Sequence, residues 1–333
     1  MKRIWILGTG GMLGSALRRS FRSRNIPVFE VSESFEWLNL ERLRTQLKVT
    51  TERFFLGLTS DDSWEIYWAC GVGTMGSSAK AMSVENKCFM IFLDIVKAKL
   101  VNTESVGVIA FASSAGALYA GCLDFEITEE STVSVINEYG SSKLFQERQL
   151  EKLASECNKV KIRIARFSTL YGPGQGFGKS QGLISHIVRS VLRNHPVKIF
   201  VPLSTTRDYL FVDDAAMHFI HFALETKKSE GQFSMIKIIA FERSISIAEI
   251  LSTLNRLTKK RIGVLCSRSD LTHLYASRVS YRSKSSFDNG TNLRRRSLIE
   301  GFHTLLEIER QHYLRKGCVV RTEYLSKPRW TAG

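Results

Sequence analysis

Paired cysteines, long apolar runs and an excess of acidic residues are all missing from this sequence of 333 residues. The six cysteines form no C-x-x-C pair and no spacing typical of metal ligands, so we expect a reduced protein without a metal site. The apolar run of residues 89–93 ends at Asp94 and is far too short to cross a bilayer. These absences predict a globular cytoplasmic protein that is not integrated into a membrane.

The charge balance is strongly basic. Lysine and arginine outnumber aspartate and glutamate by 47 to 32, which gives a formal net charge of +15. A nucleic acid, an anionic membrane surface or an anionic small substrate would each suit such a surface. The basic residues are spread along the chain, their one tight run is Arg294–Arg296, and no nucleic-acid-binding motif accompanies it. We therefore expect a solvated basic surface and no nucleic-acid partner, while weak attachment to an anionic membrane stays open.

A glycine-rich turn follows the first predicted strand, residues 2–7. Because the glycines come after only a few apolar residues, we interpret this N-terminal segment as a strand and not as a targeting segment. Gly8 permits a tight turn, Gly11 lets a pyrophosphate approach the backbone, and Gly14 lets the next helix pack closely on the sheet. That helix begins near Met12 and Leu13, whose N–H groups would bind the phosphates. A glycine turn without a ligand is the alternative. The strand before it and the helix after it favour dinucleotide binding.

The next two predicted strands supply the expected neighbours of a dinucleotide. A strand over residues 27–31 ends at Ser32, where an acidic side chain would bind the adenosine ribose of NAD. Acidic residues flank Ser32 and no basic residue follows immediately, so NAD is favoured and NADP stays open. A buried strand over residues 64–70 brings Ala69 to the same crevice and leads into the small-residue loop 71–78.

A tyrosine and a lysine four residues apart, Tyr139 and Lys143, lie one helical turn from each other. The ammonium group would stabilise the phenolate, which could then act as a base. A strand over residues 106–114 ends in Ser113 and Ser114, so a serine hydroxyl would face the same crevice. Each signal alone also fits a structural role, as a pair on a solvated helix face or as serines that cap a loop.

Strands and helices alternate through the first half of the chain, and a further strand is expected over residues 161–170. This alternation predicts an α/β protein with a doubly wound parallel sheet, a Rossmann fold, and a smaller C-terminal α/β lobe.

Taken together, these motifs resemble the extended short-chain dehydrogenase/reductase family, in particular its nucleotide-sugar epimerases and dehydratases. The resemblance extends from Met1 to about Ala216, with a weaker similarity over residues 297–301. It is carried by five elements in the family's order: the turn of Gly8, Gly11 and Gly14, the strand end at Ser113–Ser114, Tyr139-x-x-x-Lys143, Arg166–Gly174, and Arg207–Tyr209.

The resemblance implies a role for each matching residue. Tyr139 would be the catalytic acid and base, Lys143 would stabilise its phenolate and bind the nicotinamide ribose, and Ser114 would bind the reacting oxygen. Asn86 and Arg207 would contact the substrate, the latter at its nucleotide diphosphate. NAD as cofactor, a nucleotide-sugar substrate and a homodimer joined through the tyrosine helix and the helix before it are implied in the same way.

The resemblance also implies a division of the chain. Residues 1–175 would form the dinucleotide-binding domain, to which residues 206–242 return. Residues 176–205 and 243–318 would form the substrate-binding lobe, and residues 319–333 a loosely ordered tail. The sequence departs from the family at Tyr67–Cys70, at Ala120 after Tyr119, and in lacking a C-terminal Leu-Gly-Trp-x-Pro pattern, which leaves the placement of the substrate open.

Two small residues after the serine bear on the reaction. Dehydratases of this family carry an Asp-Glu pair there, whereas Ala115 and Gly116 follow Ser114 here, so dehydration is disfavoured. The leading hypothesis is C4 epimerisation of a UDP-sugar by transient oxidation to a 4-keto intermediate, in surface polysaccharide synthesis. The alternatives are an NAD(P)H-dependent reductase of a nucleotide 4-keto sugar and a non-catalytic dinucleotide-binding member of the family.

Overall fold

The computed structural model describes residues 1–174, 182–224, 233–267, 278–284 and 293–325, the last range as backbone alone beyond residue 314. Its strands are, in chain order, β1 (Lys2–Leu7), β2 (Ser63–Trp68), β3 (Val106–Ser114), β4 (Val160–Phe167), β5 (Thr169–Tyr171), β6 (Val197–Ile199), β7 (Thr206–Phe211), β8 (Ser234–Ile239), β9 (Ser244–Ser246) and β10 (Val264–Cys266). Its helices are α1 (Met12–Arg22), α2 (Leu40–Phe55), α3 (Ala79–Val101), α4 (Ala115–Leu118), α5 (Glu138–Glu156), α6 (Leu183–Leu192), α7 (Val212–Leu224), α8 (Ile247–Thr258) and α9 (Leu298–Leu325).

A five-stranded sheet in the order β1-β2-β3-β4-β8 forms the centre, and every neighbouring pair in it is parallel. One face packs on α2, α3 and α5, and the other on α1 and α7. Parallel strands covered on both faces favour continuous apolar sequences, as in Ile4–Leu7 of β1. The predicted doubly wound α/β fold is confirmed.

The strand predicted over residues 27–31 is wrong. This segment is extended, but Phe29 N donates to Ile4 O as its single backbone hydrogen bond to β1, at 2.6 Å. Pro27 has no N–H to give to a ladder, and the aromatic ring of Phe29 turns toward Trp5 and Phe54. Packing of this ring, and not strand pairing, therefore holds the segment against the edge of the sheet.

An aromatic cluster explains why α2 extends as far as Phe55. Phe54 and Phe55 are buried in its last turn, where Phe54 lies 5.4 Å from the ring of Trp5 and Phe55 lies 5.1 Å from that of Trp64. Burying these large rings stabilises the C-terminal turns, since aromatic side chains contribute the most apolar area per residue. The Asn39 side chain caps the other end by accepting from Arg42 N.

A second, smaller core lies in the C-terminal half, around sheets β5-β7-β9 and β6-β10. Helix α9 packs on this core so closely that a side chain at Gly301 would collide with Tyr171. The tail predicted after Cys318 is helical as far as Leu325, because no proline or glycine interrupts α9 between Cys318 and that residue. Residues 326–333 of that tail and the domain boundary at residue 175 lie outside the described residues.

No helix within the described part of the chain is both long enough and apolar enough to cross a membrane. Cys70, Cys88, Cys122, Cys157 and Cys266 are free thiols. The same described ranges contain no group of three or more His, Cys, Asp or Glu side chains arranged to hold a metal ion.

Close packing at Gly107 provides a test of the central sheet. A Cβ at this position would overlap the indole ring of Trp64 on the neighbouring strand β2. We expect Gly107→Ala to lower the free energy of unfolding by about 1–3 kcal/mol, because the buried ring must move to make room. Urea denaturation measures the change. Gly263→Ala is the control, since a Cβ there lies at an ordinary 3.6 Å from Pro196, and an equal effect of both substitutions would contradict the packing argument.

Candidate active site

Helix α5 carries the predicted tyrosine and lysine on one face. Asn137 caps the helix by accepting from Gly140 N at 2.8 Å, which fixes its first turn. Lys143 is 3% exposed, and its Nζ lies 5.8 Å from the ring centre of Tyr139 and 5.1 Å from that of Phe111 on β3. The ammonium is thus enclosed between the tyrosine and the sheet, where a cation–π contact helps to hold it.

A buried carboxylate that no motif predicted, that of Glu85 on α3, pairs with this lysine. Its Oε1 lies 3.4 Å from Lys143 Nζ, and its Oε2 accepts from the N–H groups of Val72 and Gly73 at 3.0 and 3.1 Å. Burial alone would raise the pKa of Glu85, but the Lys143 charge and these donors outweigh burial and lower it. The carboxylate is therefore ionised at neutral pH.

The loop after β2 lies against the tyrosine. A Cβ at Gly73 would lie 2.5 Å from Cδ2 of Tyr139 and 2.9 Å from Sδ of Met82, so the ring leaves no room for a side chain there. A Cβ at Gly71 would lie 3.2 Å from Glu85 Oε1. The small residues of this loop therefore allow the backbone to contact the tyrosine and its neighbouring ion pair.

Ser114 is the last residue of β3 and the N-cap of α4, where its Oγ accepts from Ala117 N at 3.3 Å. The capping role weighed for this serine is therefore real. Helix α4 in turn packs on the first turn of α5, since a Cβ at Gly140 would lie 2.7 Å from Ala117 O. A Cβ at Gly116 would lie 4.0 Å from Ser114 Oγ and 3.9 Å from Tyr281 Oη, so both hydroxyl groups lie beside this residue. Ser114 thus borders the tyrosine helix, and Tyr281 is a neighbour that the sequence did not indicate.

The glycine turn forms a tight cradle at the start of α1. Gly8 has a φ of +91°, and a Cβ there would lie 2.5 Å from Ala69 O, while a Cβ at Gly14 would overlap Gly8 O. Gly11 is the N-cap of α1 without a side-chain cap, and the first turn, which includes Met12 and Leu13, has no acidic residue. N–H groups at a helix N-terminus without a side-chain cap suit a phosphate, so these residues fit a dinucleotide.

Ser32 has a basic partner that the local sequence did not reveal. Its Oγ accepts from Arg53 Nη1 at 2.9 Å, and the guanidinium lies 5.6 Å from the ring centre of Phe29. Arg53 belongs to α2, 21 positions further along the chain, so only the folded structure brings it to this place. An arginine suits a phosphate as well as it suits a ribose hydroxyl, so Ser32 and Arg53 alone do not distinguish NAD from NADP.

The two predicted substrate residues lie in different settings. Asn86 Oδ1 accepts from Ser142 Oγ at 2.6 Å and from Gln146 Nε2 at 3.0 Å, which ties α3 to α5. Arg207 lies on β7 in the smaller sheet and donates to Thr206 O at 2.7 Å. Burial and Asp208 raise the pKa of the Tyr281 hydroxyl, and the nearby Arg207 guanidinium opposes them. The two substrate roles stay predictions.

A buried ion pair holds α5 on the sheet. Arg166 on β4 forms two hydrogen bonds to Glu147, from Nε to Oε1 at 3.1 Å and from Nη2 to Oε2 at 2.6 Å. Its Nη1 also donates to Tyr119 Oη at 2.5 Å. Both side chains of the pair are at most 6% exposed, so this fork fixes the position of α5 one turn beyond Lys143.

Several known proteins are similar to this chain. The dTDP-4-dehydro-6-deoxyglucose reductase of Escherichia coli is 25% identical to this chain over 273 residues. The aligned region covers 78% of this chain and 83% of that protein. The solved structure of MoeE5 in complex with UDP-glucose and NAD matches with a TM-score of 0.74 at 19% identity, covering 93% of this chain and 99% of its own. The UDP-glucose 4-epimerase of Thermotoga maritima with UDP-glucose matches with a TM-score of 0.73 at 18% identity, covering 94% and 100%.

The structural matches show the fold, the same parallel sheet with flanking helices. The family model described as the NAD dependent epimerase/dehydratase family matches residues 4–238, which include the glycine turn, Ser114 and the pair Tyr139 and Lys143. With this match over more than half of its length, the chain belongs to the NAD dependent epimerase/dehydratase family.

Proposed function

We propose that the protein is an NAD-dependent epimerase that inverts C4 of a nucleotide-activated sugar through a 4-keto intermediate. The observation that carries this proposal is the enclosed Lys143 ammonium 5.8 Å from the ring centre of Tyr139, on the helix beside Ser114. A phenol next to a buried cation is the arrangement needed to remove a proton from a sugar hydroxyl and to return it. Ala115 and Gly116, which follow Ser114, offer no acid or base for dehydration.

Each residue has one task in this mechanism. Bound NAD, the cofactor of the family, supplies the hydride acceptor and donor. The Tyr139 phenolate takes the proton of the 4-hydroxyl as the sugar is oxidised. It returns this proton after the 4-keto sugar has rotated in the site to present its other face. The Ser114 hydroxyl donates to the reacting oxygen, and the Lys143 ammonium stabilises the Tyr139 phenolate, which is present before the first proton transfer and again after the second.

Arg207 and the division of the chain complete this proposal. We assign Arg207 to the nucleotide diphosphate, because its guanidinium fork suits phosphate oxygens. Residues 1–175 with 206–242 would bind the cofactor, and residues 176–205 with 243–318 the sugar. A cytoplasmic location and a role in surface polysaccharide synthesis belong to the same proposal, since nucleotide sugars are activated donors for such polymers.

Substitution of Gly14 tests the cofactor cradle. We expect Gly14→Ala to weaken NAD binding at least tenfold, because the added methyl group would overlap Gly8 O and displace the turn from the phosphates. Isothermal titration calorimetry with protein freed of bound cofactor measures the dissociation constant. Gly10→Ala is the matched control in the same turn, since a Cβ there meets no atom within 4 Å. If Gly14→Ala bound NAD like the wild-type protein, the turn would not be the phosphate site.

The reaction is tested by proton NMR of UDP-glucose, UDP-N-acetylglucosamine and their uronic acids with the purified protein and no added cofactor. We expect the C4-inverted sugar to form, because an epimerase regenerates its bound cofactor in every cycle. We expect Tyr139→Phe to slow turnover at least a thousandfold, since the phenol proton acceptor is lost while the ring remains. Circular dichroism checks that its fold is retained, and an unimpaired Tyr139→Phe variant would refute the mechanism.

Reduction of a nucleotide 4-keto sugar is the second candidate, and one observation favours it. The Escherichia coli relative, matched over 83% of its length, is named as a 4-dehydro-sugar reductase. The same proton donor would serve, but reduced nicotinamide would be consumed in a one-to-one ratio with the sugar. This reaction would be favoured if no epimerisation occurred and a 4-keto sugar led to oxidation of NADH or NADPH. No turnover in either assay would favour a non-catalytic role.

The proposed homodimer would form through α3 and α5. A groove on this outer face is lined by Met82, Asn86, Met90, Ser141 and Phe145 among others, and Phe145 is 37% exposed. We expect sedimentation velocity to detect a dimer and Phe145→Glu to dissociate it, because a carboxylate at an apolar interface would lose its hydration. Leu123→Glu, at a residue that is 98% exposed, is the control. A monomeric wild-type protein would contradict the proposal.

A further inference from the structure

Glu85 contacts the predicted catalytic lysine, although none of the sequence motifs includes it. The side chains of Glu85 and Lys143 are 8% and 3% exposed. Gln146 joins them, since its Oε1 accepts from Lys143 Nζ at 3.1 Å and its Nε2 lies 3.5 Å from Glu85 Oε1. A buried anion, a buried cation and an amide thus form one connected cluster between α3 and α5, and the ammonium has a single position in it.

The other oxygen of the carboxylate holds the loop beneath the tyrosine. Glu85 Oε2 accepts from two successive backbone donors, Val72 N and Gly73 N, and Gly73 is in close contact with the Tyr139 ring. One side chain therefore fixes both the lysine and the loop that borders the tyrosine. Its loss would free the two N–H groups as well as the ammonium, at a site where little water reaches them.

Charge gives the carboxylate a second role. The oxidised nicotinamide ring carries a positive charge, whereas the reduced ring is neutral. An uncompensated Lys143 ammonium would therefore weaken binding of NAD⁺ relative to NADH. The Glu85 carboxylate, 3.4 Å from Nζ, offsets that repulsion. In a partly buried site the field of a unit charge is felt over about 10 Å, which is the scale of such a crevice.

We propose that Glu85 is a positioning residue that holds Lys143 and balances its charge, so that the site binds oxidised nicotinamide more tightly than it would with the lysine alone. The inference rests on the NAD binding of the proposed function, and it is independent of the sugar. It suits an epimerase, whose resting cofactor is oxidised. A reductase starts each cycle from the reduced form and would gain nothing from this balance.

The test compares the dissociation constants of NAD⁺ and NADH, each measured by calorimetry at pH 8 with the full-length protein freed of bound cofactor. Glu85→Gln keeps the size of the side chain and an acceptor oxygen but removes the charge. We expect it to shift the ratio of the two constants about three- to tenfold in favour of NADH. Glu85→Asp, which keeps the charge, should leave the ratio within about twofold of the wild-type value. Glu52→Gln, the same change on the exposed face of α2, is expected to have no effect.

A wild-type ratio in Glu85→Gln would overturn the inference, even if both affinities fell, because a purely structural role moves both constants together. If circular dichroism finds Glu85→Gln unfolded, Lys143→Met tests the same pair from the other side. Loss of the cation should shift the ratio toward NAD⁺, and an unchanged ratio would overturn the inference. Failure of the proposed function is distinguishable, since a protein that turns over no sugar but binds both cofactors still yields the ratio.

Discussion

Helix α5 has to bury two opposite charges on the side that faces the sheet, and the arrangement of the site depends on how each is paired. Lys143 meets Glu85 of α3, and Glu147, one turn further on, meets Arg166 of β4. Removing one partner from such a pair leaves a buried charge uncompensated, which costs about 3–5 kcal/mol. The two pairs therefore fix the rotation of α5 about its axis, and with it the direction of Tyr139.

Neighbouring backbone contacts follow from this placement of the helix. The loop after β2 can approach Tyr139 because residue 73 is a glycine, and α4 can pack on the first turn of α5 because residue 140 is a glycine. Ser114 caps α4, so the end of β3 and the start of α5 form one packed unit. The predicted catalytic groups are thus carried by a strand and a helix, which hold side chains more firmly than flexible loops do.

The sequence predicted the parts of the fold and site that depend on local patterns. Glycines between a strand and a helix indicate a tight turn without any knowledge of distant residues. A tyrosine and a lysine four residues apart share a helix face wherever the helix lies in the fold. Glu85 and Arg53 escaped prediction because their partners are 58 and 21 positions away, and a single acidic or basic residue on a helix has no distinctive spacing. The segment at residues 27–31 is mostly apolar, as strands are, but the Phe29 ring packs against Phe54 of α2 and the segment does not pair along the sheet.

That segment also leaves the sheet with an open border. Since residues 27–31 give β1 a single backbone hydrogen bond, most of the outer polar groups of β1 lack the ladder that a full strand would provide. Arg3 covers part of this side by reaching the carbonyl groups of Phe54 and Leu56. An edge held by rings and one arginine separates at lower free energy than a paired strand, so local opening of the native protein should begin here. The side of the crevice next to β1, where the adenosine would lie, should therefore open more readily than the side formed by β3 and α5.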